Sequence, residues 1–110
     1  MPLGPFYTNQ VPRRPLTLIV RDHRTNEILD LSDYDSCSIK MVGPTGATVS
    51  TKDGQATILD PDGGVVRYEW PTEKSLFPRV GDYRLQVILE SVQGHHDPTQ
   101  PVTFEVHKAL

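Results

Sequence analysis

Runs in which apolar and polar residues alternate with a period of two recur along the chain, and a turn signal closes each run. Leu16-Thr17-Leu18-Ile19-Val20-Arg21-Asp22 is the first. It is rich in β-branched residues and sets Leu16, Leu18 and Val20 on one face. Ser36-Cys37-Ser38-Ile39-Lys40-Met41-Val42 turns Cys37, Ile39 and Met41 inward, with Ser38 and Lys40 outward. A strand over residues 55–60 is followed by Val65-Val66-Arg67-Tyr68-Glu69-Trp70, which sets Val66, Tyr68 and Trp70 against Arg67 and Glu69. The longest run opens at Gly81-Asp82 and aligns Tyr83, Leu85, Val87 and Leu89 opposite Arg84, Gln86 and Glu90. The last covers 101–107, with Val102, Phe104 and Val106 inward. Shorter extended pieces fall at 28–32 and 47–50.

The punctuation between these runs is equally regular. Gly43-Pro44-Thr45-Gly46, Asp53-Gly54 and Pro61-Asp62-Gly63-Gly64 carry the residues that tight turns require. Residues 72–80 form a polar loop whose start suits one helical turn, with Leu76 and Phe77 tucked into the end of the core. Residues 92–98 read as a hairpin loop. About seven strands at spacings near ten residues predict an all-β fold, an immunoglobulin-like antiparallel β-sandwich, with a small barrel as the other architecture. Residues 16–110 make this domain. Residues 1–15 read as an extended arm rather than a strand, because Pro2, Pro5, Pro12 and Pro15 each lack a ladder donor. Phe6, Tyr7 and Val11 on that arm call for a surface to lie against, either the chain's own domain or a neighbouring subunit.

Composition narrows the function classes. The chain has 110 residues, enough for one core, and ten Pro with eight Gly interrupt it too often for long helices. A net charge of −3 argues against a nucleic-acid partner and against an anionic membrane surface. Arg13 and Arg14 are too few for a basic arm. The single cysteine, Cys37, forms no intrachain disulfide and reads as a core thiol on an apolar face. No apolar run is long enough to span a bilayer, and Met1-Pro2-Leu3-Gly4-Pro5 lacks the features of a signal peptide.

The candidate chemistry is sparse. His95-His96-Asp97 is the one cluster suited to metal, but adjacent residues on a strand point to opposite sides, and partners such as His23 or His107 would be needed. Asp60 and Asp62 begin like a calcium loop but lack its later positions, and turn formation explains both. No G-x-S-x-G elbow and no Gly-rich phosphate loop occurs. Tyr68 and Trp70 share the face of Val66, which assigns them to the core rather than to a sugar platform. The expectation is a protein with no catalytic residues, no cofactor and no metal.

The order of these blocks resembles a known family: the immunoglobulin-like N-terminal domain of phage baseplate upper proteins and related small siphophage tail proteins. The resemblance runs from about Leu16 to His107. It rests on the first strand ending in Asp22, Ile28-Leu29-Asp30-Leu31-Ser32, the alternating Ser38 to Met41, Asp60-Pro61-Asp62-Gly63-Gly64 with the strand to Trp70, and Gly81-Asp82-Tyr83-Arg84. Gly81-Asp82-Tyr83 also resembles the tyrosine corner of immunoglobulin-like sandwiches, with Leu85 in the place of the usual Cys. What the resemblance implies is a non-enzymatic virion structural protein, a tail or baseplate component made in the host cytoplasm. It would be present in many copies or as a homo-oligomer, docked to other virion proteins. A capsid decoration protein and a carbohydrate-binding or adhesion module are the alternatives. The docking residues expected are Phe6, Tyr7, Val11, Arg13, Arg14, Leu76, Phe77, His95 and His96, with neither nucleic acid nor membrane as partner.

Overall fold

Two sheets face each other across one apolar core. The computed structural model describes residues 6–22, 24–94 and 96–109. Within them lie β1 (Phe6–Tyr7), β2 (Leu16–Ile19), β3 (Ser36–Val42), β4 (Thr48–Val49), β5 (Gln55–Asp60), β6 (Val65–Glu69), β7 (Gly81–Glu90), β8 (His96–Pro98) and β9 (Val102–His107). One sheet has six strands, in the order β1-β9-β7-β3-β4, with β8 also paired to β7; the other has three, β2-β6-β5. The architecture is the expected all-β sandwich.

The alternation read from the sequence sets which side chains enter the core. Leu16, Leu18, Val20, Ile39, Met41, Val66, Tyr68, Trp70, Tyr83, Leu85, Val87, Leu89, Phe104 and Val106 are all buried. Long β7 pairs with β3 from Ser36↔Glu90 to Val42↔Arg84 and with β9 from Gly81↔Val106 to Leu85↔Val102, so it is the spine of its sheet. The turn after β5 works as its residues suggest. The Gly63 N–H donates to Asp60 Oδ1, and Gly64 sits at φ 68° with its N–H directed at Pro61 O. A Cβ on Gly64 would lie 2.6 Å from Leu29 O, so this glycine also allows the segment after Ile28 to pack closely.

Three elements differ from expectation. Phe6–Tyr7 is a strand, paired in parallel with Val106–His107, so the Pro-rich arm joins the sheet. Proline spacing leaves this short stretch free to pair: no Pro lies between Phe6 and Val11. The loop after Trp70 has no helical turn; its Glu73 takes the left-handed region instead, φ 62°. The hairpin beyond β7 is tighter than residues 92–98, because β8 continues the ladder to Glu90↔His96. Between β8 and β9 the register slips by one residue. Buried Thr99 bridges that slip through its N–H and hydroxyl, both donated to Val87 O.

Candidate functional site

The two sheets come closest where β3 faces β5. β4 pairs only with Met41 and Val42, so from Ser36 to Lys40 the named strand partner of β3 is β7 alone. The reason is local. After Val49 the chain leaves the ladder, crosses as residues 50–54 and enters β5, an edge strand of the other sheet. The crossing is pinned to both sheets. The Thr51 hydroxyl donates to Ile39 O, and the Tyr68 hydroxyl donates to Thr51 O at 3.0 Å. Gly54 lies so close to the Tyr68 hydroxyl and Glu69 O that a Cβ has no room there.

A trough of about 460 Å³ remains between the edge of β3 and the start of β5. Cys37, Ser38, Ile39 and Lys40 form one wall; Gln55 and Ala56 the other; residues 48–52 and Gly54 the end, with Tyr68 also contributing. Small side chains at Cys37 and Ala56 leave it unfilled. Both titratable groups that line the interior are held neutral. Burial, with Glu90 adding to it, pushes the Cys37 thiol up to about 11. Burial, with Asp53 adding to it, pushes the Tyr68 phenol up to about 12. The charged groups on the lining are both cations, Lys40 and Lys52. The nearby Asp53 is engaged by Lys74 at 2.7 Å, and that hydrogen bond holds its carboxyl below the usual range.

The residues expected to dock fall elsewhere. Phe6 is half-buried, stacked on Phe77 with ring centroids 4.9 Å apart and edge-on to Trp70 and Phe104, each at 5.4 Å. Leu76 and Phe77 are buried, at 2% and 0% exposure, and offer no surface to a partner. Tyr7, Val11, Arg13 and Arg14 are exposed; the last three border a shallow hollow beside Phe6. His95 lies outside the described residues, as does the side chain of His96, whose backbone is in β8. Among the described residues no three His, Cys, Asp or Glu side chains gather as a metal-holding group.

No family model matches the chain, and no curated protein matches it. A solved structure does: CopC from Methylosinus trichosporium OB3b, at a TM-score of 0.51 and 16% identity, over 98% of this chain and 88% of that one. The fold resembles that of CopC. That likeness overturns the virion reading and its alternatives. A sandwich shared with CopC does not single out a tail or baseplate protein. The arm assigned to docking is itself a strand of the sheet, with Phe6 in the aromatic cluster. Nor is there a platform of exposed rings for sugars: among the described residues Tyr7 is the one exposed Phe, Tyr or Trp.

Sequence reasoning missed the trough, although it placed Cys37 and Lys40 correctly on opposite faces of β3. The signal was a mismatch in length: seven alternating residues in β3 beside a β4 confined between the turns at 43–46 and 53–54.

Proposed function

We propose that the protein is a non-enzymatic recognition module that binds an extended peptide segment of a protein partner along the edge of β3 that borders the trough. The observation that carries this reading is the edge of β3 at Cys37–Ile39, which beyond the Thr51 hydroxyl on Ile39 O has no strand partner on the side away from β7 and borders the trough. An edge with no strand partner presents backbone donors and acceptors that a peptide strand satisfies, and a pocket for alternate side chains supplies selectivity. At a rise of about 3.4 Å per residue, this stretch accommodates a partner strand of similar length.

Cys37 provides the test, since it is the only cysteine and lines the trough. Short extended peptides selected for binding are expected to slow maleimide alkylation of Cys37 and to protect the Cys37 and Ile39 amides, which face away from β7, from hydrogen exchange. Ala56→Leu, which fills the trough, is expected to abolish binding while unfolding stays cooperative. Selected peptides that leave Cys37 as reactive as in the free protein, or that bind the folded Ala56→Leu variant equally well, would overturn the reading.

A further inference from the structure

The outer face of the three-stranded sheet carries apolar side chains that its own core does not use. Strands β2, β6 and β5 each set one there, at the same end. Ile19 lies directly opposite Val65, and the bulge between Ile58 and Asp60 leaves Leu59 on the other side of Val65. Ile19 and Leu59 are 54% and 55% exposed. The next row on this face, Thr17, Arg67 and Thr57, is polar, as a solvated face should be. Apolar residues exposed singly are ordinary, but a row across three adjacent strands marks a contact surface. β2 and β5 run in the same direction, because both are antiparallel to β6. Exposed Arg21 therefore stands beyond Ile19 at one end of the row, and exposed Asp60 and Asp62 stand beyond Leu59 at the other. Among the described residues neither Arg21 nor Asp62 is in a salt bridge, and Asp22, next to Arg21, pairs with Arg24 at 3.8 Å.

We propose that this face joins two copies of the chain in a homodimer whose two-fold axis lays β2 of each copy over β5 of the other. A two-fold contact must be self-complementary, so what one end of the row offers, the other end must receive. Ile19 of each copy meets Leu59 of the other, with Val65 between them near the axis. The same operation brings Arg21 of each copy to the Asp60–Asp62 turn of the other, so both rims join opposite charges. Laying β2 over β2 instead would set Arg21 against Arg21 and the turn carboxylates against each other, so charge selects the first arrangement. Further along the face Arg67 and Glu69 neutralise each other at 3.1 Å and leave no net charge there to repel a second copy. The row lies at the end of β5, whereas the trough lies at its start, so this interface is independent of the peptide reading.

Sedimentation equilibrium over a series of protein concentrations tests this. The parent chain is expected to pass from monomer to dimer mass as concentration rises. Ile19→Lys, which sets an unpaired charge in the row, is expected to weaken association by roughly tenfold or more while urea unfolding stays cooperative. Arg21→Glu alone and Asp62→Lys alone each place like charges at both symmetry-related rims, and each is expected to weaken association by roughly tenfold. An equimolar mixture of these two variants is expected to regain the parent's dimer mass, because both rims of the mixed pair again join opposite charges. A parent chain that stays monomeric throughout overturns the interface, as does a folded Ile19→Lys variant that dimerises like the parent. A mixture of Arg21→Glu and Asp62→Lys that associates no better than either variant alone overturns the β2-over-β5 arrangement.

Discussion

Tyr83 shows how much one hydroxyl contributes when it is buried. It accepts from the Arg79 N–H at 3.2 Å and donates to Arg79 O at 2.8 Å, which fixes the corner where the loop enters β7. Such a bond from the hydroxyl back to the upstream backbone is a feature of the tyrosine corner, and Leu85, two residues on, is buried. Tyr83→Phe leaves the Arg79 N–H and carbonyl without this partner. It is expected to destabilise the fold by about 1–3 kcal/mol, seen as a lower urea midpoint at unchanged m value. Cys37 and Tyr68 set a pH limit. Each is held neutral in the folded state, at about 11 and about 12, against ordinary values of 9.0 and 10.0. Above pH 9 the unfolded chain therefore releases protons that the folded chain keeps, and stability falls as pH rises through the window from 9 to 12. Urea midpoints measured across that range are expected to decline, and Cys37→Ala is expected to flatten the lower part of the decline.

At the scale of elements, β1 is the instructive case. Its two residues make a short parallel pair, yet Phe6 touches Phe77, Trp70 and Phe104 and so completes an aromatic cluster that spans both sheets. Phe6→Ala is expected to cost roughly 1–2 kcal/mol, because the ring is only half-buried. Sedimentation is expected to show the same mass for variant and parent, since the ring packs on its own domain. The apolar residues of the arm were visible in the sequence, but the surface they cover was not. A proline count reads the arm as unpaired, whereas pairing depends on where the prolines leave a gap. The buried pair Leu76 and Phe77 carries the same lesson. Their place at the end of the core followed from their apolar character, and a role in docking is incompatible with it.

For the molecule as a whole, period-two alternation was enough to name the strands, their inward faces and the sandwich, since each of these depends on local sequence. Which strands share a sheet is a matter of long-range pairing, and alternation carries no information about it. The parallel β1–β9 pair and the jump of the chain from β4 across to β5 were therefore illegible, and with the jump went the trough beside Cys37. One consequence of the β1–β9 pair is mechanical. Because Phe6 and Tyr7 run in the same direction as Val106 and His107, a pull on the chain at Phe6 and at Ala109 slides the two strands along each other. The paired residues, the Thr8 N–H to His107 O bond at 2.9 Å and the Ala109 N–H to Thr8 Oγ1 bond at 3.2 Å then carry the load together rather than one after another. Stretching from both ends meets a shear-loaded clasp, and the rate at which the domain yields to force is set by how long that clasp holds.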